Sequence, residues 1–215
     1  MQMRLIKCGL LAATGLLLAG HVSAQNETSE MRAKLIPCYQ PTNGTSPSDV
    51  VSACTSLLDD KSWSSARLGG IYMSRGNAYD GLGDTVHALA DYNQAITTDP
   101  GKAIYFYNRG YLYYRHNDSD HAEMDFAQTV RLDSSIAPAH FLLGVLAERK
   151  GDFAASVEQF NETIALNPKM AQAYLARASV EGKLGQSDRA VADIKMAVSL
   201  DPALAKNVSV DGKPP

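Results

Sequence analysis

The sequence predicts an all-α fold: an α-solenoid of helix-turn-helix repeats behind a short N-terminal cap pinned by a disulfide. Three observations predict it. The chain aligns with itself at a shift of 34 residues, without a gap, across residues 69–202. Inside each block, large and small apolar residues recur at helical spacing, with a Gly, Asn or Asp breaker in the middle and Pro or Ser at the end. Of the 215 residues, 45% are hydrophobic and 20% charged, an ordinary globular composition with neither collagen-like nor disordered character.

Taken in order, the chain opens on a leader over residues 1–24. Arg4 and Lys7 form a positive start, Cys8 to Gly20 an apolar stretch, and Val22-Ser23-Ala24 a small-residue cleavage site. The apolar stretch is shorter than the ~20 residues a spanning helix needs, so no membrane insertion is expected after cleavage. His21 stands where a lipidated cysteine would follow Leu18-Ala19-Gly20. Residues 25–48, with Pro37, Pro41, Gly44 and Pro47, read as a loop segment, and 49–66 as a capping helix around Asp49 to Leu58. Cleavage leaves Cys38 and Cys54, an even pair that suggests a disulfide in an oxidising compartment. Closing a loop of that size contributes ~3 kcal/mol in the chain-entropy model.

The repeats come next, at 69–102, 103–136, 137–170 and 171–202. Tyr72, Phe106, His140 and Tyr174 share one column, and Gly76, Gly110, Gly144 and Ala178 another. Ala88, Ala122, Ser156 and Ala190 form a third, Tyr92, Phe126, Phe160 and Ile194 a fourth. The small residue between two large ones on the first helix lets the second helix approach closely. Between the helices lie Gly81-Leu-Gly-Asp84, Asn117-Asp-Ser-Asp120, Lys150-Gly-Asp152 and Leu184-Gly-Gln186, whose Asp and Ser can cap the second helix. Pro100, Ser134, Pro168 and Pro202 close the blocks, and 203–215 is a C-terminal tail.

These columns resemble the tetratricopeptide repeat, a 34-residue helix–turn–helix unit. His140, Ala147, Glu181 and Ser134 depart from its pattern singly. The resemblance implies a concave groove lined by the first helix of each repeat. It also explains the crowding of rings in residues 103–114, where six of the chain's fifteen tyrosines and phenylalanines fall. Phe106, Gly110 and Tyr113 read as the packing stripe, leaving Tyr107, Tyr111 and Tyr114 about 100° around the helix, toward the groove. With Met73, Asn77, Asn108, Phe141, Val145 and Leu175 they make a tyrosine-rich floor, the kind of apolar patch that marks a binding surface. Arg115, Arg149 and Lys183 recur at 34-residue intervals. They suit either an acidic ligand or the negative end of the helix they terminate. Some members of the family clamp a C-terminal carboxylate. Asn77 and Asn108 match that clamp, but Met73, Pro138 and Leu142 stand where its cations would be.

The function expected is a non-enzymatic adaptor that binds a peptide or protein segment, exported to a bacterial periplasm, with secretion as the alternative. Losing Arg4 and Lys7 takes the net charge from −3 to −5, which argues against nucleic acid. No cofactor is expected. Neither is a metal: His116, Asp118, Asp120, His121, Glu123 and Asp125 cluster, but at a turn and helix start where such residues cap. No nucleophile elbow, His-Glu-x-x-His helix or phosphate-cradling glycine loop occurs. Two other readings compete. One is an accessory subunit of an envelope complex that oligomerises through the solenoid ends, above all the C-terminal edge at Val191, Ile194 and Val198; the other is an enzyme with an unrecognised site near His116 to Asp125. Five Asn-x-Ser/Thr sequons (Asn26, Asn43, Asn117, Asn161, Asn207) matter only in a eukaryotic secretory host.

Overall fold

The computed structural model describes residues 35–39, 44–59 and 63–206, which contain helices and no strand. The leader read over 1–24 and the sequons at Asn26, Asn43 and Asn207 lie outside the described residues. The chain forms two compact units, one ending at Asp99 and the other beginning at Pro100.

In the first unit, residues 35–39 are helical, within the stretch expected to be loop. Helices α1 (Pro47–Leu58), α2 (Ser65–Gly81) and α3 (Thr85–Thr98) complete it. Local chemistry starts α1: the Ser46 hydroxyl accepts the Asp49 amide, the Asp49 carboxylate accepts the Ser46 amide, and Pro47 occupies the first turn, where its missing N–H loses nothing. Val50, Cys54 and Leu57 lie on one stripe and pack with Ile71 and Ala78. Cys38 and Cys54 are joined by a disulfide, with Cα atoms 5.0 Å apart. Beside it the Tyr39 hydroxyl donates to the Arg67 carbonyl at 2.6 Å. The Tyr39 ring presses on Gly70 so closely that a Cβ there would lie 2.7 Å from its oxygen. The cap helix is shorter than 49–66. It stops at Leu58, and Trp63 lies outside it, donating its indole N–H to the Leu57 carbonyl at 2.7 Å. That bond satisfies one of the carbonyls a helix end leaves open.

The second unit holds α4 (Ala103–Arg115), α5 (Ser119–Leu132), α6 (Ala137–Lys150), α7 (Phe153–Leu166), α8 (Ala171–Lys183), α9 (Ser187–Leu200) and a 3-10 turn (Pro202–Lys206). Hairpins α4/α5, α6/α7 and α8/α9 stack in sequence, α5 against α6 and α7 against α8.

One rule builds every hairpin in both units. The chain reverses through a left-handed residue, Gly83, Asn117, Gly151 or Gly185, with φ of 78°, 60°, 80° and 75°. Only Gly, or at some cost Asn, adopts that conformation readily. Asp84, Asp118 and Asp152 then cap α3, α5 and α7; Gln186 takes that place before α9 and makes no side-chain cap bond. Farther in, a ring of the second helix seats on the glycine of the first. A Cβ on Gly144 would meet Phe160 at 2.6 Å, on Gly110 Phe126 at 3.1 Å, and on Gly76 Tyr92 at 2.9 Å. Repeat four has Ala178 instead, and its partner column holds the smaller Ile194. Full burial of each ring contributes about 2–3 kcal/mol.

A charged fork crosses three of the four hairpins. Arg75 grips both oxygens of Asp91 at 2.8 Å, Arg109 those of Asp125 at 2.8 and 2.7 Å, and Arg177 those of Asp193 at 2.7 and 2.8 Å. In repeat three the same columns hold Leu143 and Gln159, and His140 Nδ1 meets Gln159 Oε1 at 2.9 Å instead. At the far end Leu204 of the 3-10 turn packs with Tyr174, Ala197 and Leu200. The residues expected to be tail thus begin as a turn that covers the edge, leaving Ile194 and Val198 half-buried and Met196 exposed.

Candidate functional site

Helix α4 spreads its rings in several directions because it packs against more than its hairpin partner. Tyr105 and Leu112 are buried. Phe106 lies under the Arg109 guanidinium, 5.8 Å from the ring centre, and is only half-buried, so it is not the core residue its column suggests. Tyr113, likewise half-buried, stacks on His121 at 4.9 Å. Tyr107 corrects the expected groove floor. It is 6% exposed and shares a core with Phe126, Ala139, Leu142 and Leu146. Its ring lies 5.8 Å from Phe126. Burial pushes its hydroxyl well above the usual phenol range.

What remains of the row is a set of half-exposed side chains on α4, α6 and α8 of the second unit. Tyr111 stacks between Tyr107 at 6.3 Å and Tyr114 at 6.4 Å. On α6, Phe141 leans on Phe160 at 5.6 Å, and Val145 is half-buried. On α8, Leu175 packs beside Tyr174 and Ala171. Asn108 is half-buried on α4. Met73 and Asn77 belong to the first unit. Both are half-buried there, and Asn77 Oδ1 accepts the Tyr92 hydroxyl at 2.8 Å, which orients that core ring.

The basic ladder edges this strip and is internally engaged. The Arg149 guanidinium lies 4.7 Å over the Tyr114 ring and donates to its hydroxyl at 3.0 Å. Lys183 donates to Glu148 at 2.8 Å, and the Ser179 hydroxyl donates to the same oxygen at 3.1 Å. Arg149 and Lys183 therefore each reach back 35 residues to the preceding repeat. Arg115 is exposed at the end of α4.

The acidic and histidine residues at the α4–α5 turn act as capping and pairing groups. Asp118 accepts the His121 amide at 3.3 Å and meets the His121 ring nitrogen at 2.7 Å; the ring contact, then the amide, holds its carboxyl below the usual range. Asp84 and His87 repeat this in the first unit. Asp125 is in its fork, and Lys150 pairs with Glu123 and lies 3.8 Å from Asp120. Among the described residues no group of three or more His, Cys, Asp or Glu is placed to hold a metal ion. No described helix is long and apolar enough to cross a membrane.

Sequence columns did not single out the Arg–Asp fork, although Arg75, Arg109 and Arg177 with Asp91, Asp125 and Asp193 recur in register. Glu181, legible only as a departure from the repeat pattern, is 5% exposed in the column where Tyr79 and Tyr113 carry rings.

The architecture is shared with solved structures. The crystal structure of MamA is 20% identical, with 76% of this chain and 93% of that one covered and a TM-score of 0.66. MamA 41-end from Desulfovibrio magneticus RS-1 is 14% identical, with 76% and 89% covered and a TM-score of 0.65. YrrB, described as a TPR protein with an unusual peptide-binding site, is 18% identical, with 73% and 78% covered and a TM-score of 0.61. At these identities the likeness establishes the fold. Comparison with curated protein sequences gives no match. The tetratricopeptide repeat family model matches residues 73–137, 107–171 and 141–205, together more than half of the chain. With its register of hairpins, ring-on-glycine contacts and left-handed turns, this chain belongs to the tetratricopeptide repeat family.

Proposed function

We propose that this protein is a non-enzymatic adaptor that binds a peptide or protein segment along α4, α6 and α8 of its second unit. The observation that carries the reading is the half-exposed strip of Tyr111, Tyr114, Phe141, Val145 and Leu175 on successive first helices, edged by Arg115, Arg149 and Lys183. Rings and branched side chains give contact area at low entropic cost, and the cations orient a ligand's carboxylates or carbonyls. The peptide-binding site described for YrrB supports the same use of a shared fold. Export to the periplasm accompanies the reading. It is supported by the sequence of residues 1–24 and by a cystine in the first unit.

The test compares the protein with a Tyr111→Ala/Tyr114→Ala/Phe141→Ala variant in crosslinking within cells, followed by calorimetry on whatever purified partner is recovered. Binding at least about tenfold weaker in a variant of unchanged helicity is expected, since aromatic anchors dominate interfaces. Equal affinity would reject the strip. Fractionation with and without residues 1–24 tests export. Sedimentation of wild type and Ile194→Glu tests the rival reading of self-association through the C-terminal edge, which Leu204 partly covers.

A further inference from the structure

Arg149 and Lys183 share a column, yet their backward contacts end on different chemistry. Lys183 meets a carboxylate, Glu148, at 2.8 Å, whereas Arg149 meets a phenol, Tyr114, at 3.0 Å. The first pair cancels its charge and the second does not. The neighbouring cations are matched in the same way as Lys183: Arg109 and Arg177 are forked onto Asp125 and Asp193, and Lys150 pairs with Glu123. Among the described residues no carboxylate is joined to Arg149, although it is exposed. It carries the surplus charge of this edge.

The guanidinium is also held in place. The Tyr114 ring lies 4.7 Å from it and its hydroxyl accepts from Nη2, while Nε and Nη1 make no bond among the described residues. A ring beneath a guanidinium fixes its plane and leaves its edge, with parallel N–H groups, for a carboxylate. Apolar surface adjoins it. Val145 stands one turn earlier on the same face of α6 and is half-buried, and Tyr111 stacks on Tyr114 at 6.4 Å.

We propose that Arg149 is the specificity-determining residue of the strip and reads a side-chain carboxylate, an Asp or Glu set beside a bulky apolar residue in the bound segment. The inference rests on the adaptor reading above and names the chemistry of its ligand. The carboxylate takes Nη1 and Nη2 together, displacing the Tyr114 hydroxyl while the ring stays beneath the guanidinium. That exchange replaces one hydrogen bond to a phenol by a bidentate, charge-assisted pair. The apolar neighbour of the acid rests on Val145 and Tyr111. Lys183 does not compete for the acid, because recruiting it would leave Glu148 without its cation. The plainer role for Arg149 is a positive charge in the last turn of α6, opposite the negative end of the helix. A lysine would serve that role equally well.

The test selects phage-displayed random peptides on the purified protein and measures the winners, synthesised with both ends blocked, by calorimetry. Winners that fail to bind Tyr111→Ala/Phe141→Ala, which keeps Tyr114 and Arg149, are strip binders. These should carry Asp or Glu beside an apolar residue. Changing that acid to its amide should weaken binding to wild type at least about threefold and leave binding to Arg149→Gln unchanged. Arg149→Lys keeps the charge and loses the fork, so it should lose most of the preference for acid over amide. The inference is overturned by strip binders without an acidic preference, by an equal loss in wild type and Arg149→Gln, or by full discrimination in Arg149→Lys; each of these leaves the adaptor reading standing. A selection that yields no peptide dependent on Tyr111 and Phe141 would sink the strip and this inference together.

Discussion

Repeats two and three hold the same backbone hairpin with different polar hardware. In repeat two, Arg109 forks Asp125, Tyr113 stacks on His121, and the chain turns through left-handed Asn117. Repeat three replaces these with Leu143 and with Gln159 held by His140, with Ala147 and Ala155, and with Gly151. What the two share is the ring on glycine, Phe126 on Gly110 and Phe160 on Gly144. Their difference separates what the hairpin requires from what it tolerates. Close approach is geometric, so a ring needs a glycine opposite it and repeat four, with Ala178, carries the smaller Ile194, whereas the polar lock only has to be complete, since a half-satisfied one is worse than none.

The comparison can be broken first at its common element. Phe160→Ala removes a fully buried ring and should destabilise the second unit by about 3–5 kcal/mol, read as a lowered urea midpoint. A loss under about 1 kcal/mol would mean the hairpin does not depend on that ring. Next in size is the lock. Asp125→Ala strands the Arg109 guanidinium, for a loss of about 2–3 kcal/mol. The triple change Phe106→His/Arg109→Leu/Asp125→Gln, which imports the whole lock of repeat three, should recover most of that in the same urea experiment. No recovery would show that the charge itself is needed. Smaller again is the turn. Asn117→Gly should raise stability by about 0.5–1 kcal/mol because the left-handed backbone strains Asn and not Gly. The same measurement on Gly151→Asn should move the other way.

The smallest effect is on the acid limb. The Asp118 carboxyl is held below its usual range by His121, so its contribution to stability is complete above the ordinary carboxylate pKa near 4 and is lost as pH falls through the lower folded value. Asp118→Asn should therefore flatten the urea midpoint's dependence on pH below about 4 and leave its slope near pH 7 unchanged. An unchanged dependence below about pH 4 in Asp118→Asn would show that this carboxyl contributes nothing to the acid limb.

The solenoid was legible in the sequence because its signal is a column: Gly76, Gly110 and Gly144 against Tyr92, Phe126 and Phe160 survive any error in placing single helix ends. Other features were not. Tyr107 reads as groove-facing from spacing on one helix, but α4 buries a stripe wide enough to meet α6 through Ala139 and Leu142 as well as Phe126. Helical periodicity gives the angle between two side chains and not how many neighbours the helix has. The Arg–Asp forks were visible as a 16-residue spacing, yet charges on amphipathic helices look like a solvated face until burial is known. Residues 35–39 and the end of α1 at Leu58 depend on tertiary bonds, Tyr39 to Arg67 and Trp63 to Leu57, that no local pattern announces.

The backward reach of Arg149 and Lys183 has a mechanical meaning. These side chains clip one hairpin to the one before it, through Tyr114 and Glu148. An acidic guest that recruits either cation must first undo its clip, so part of the attraction goes into the exchange and the joint beneath is freed to flex. On the proposed reading, occupancy of the strip and stiffness of the second unit are coupled through two side chains, and a guest that ignored them would leave the spine as rigid as it found it.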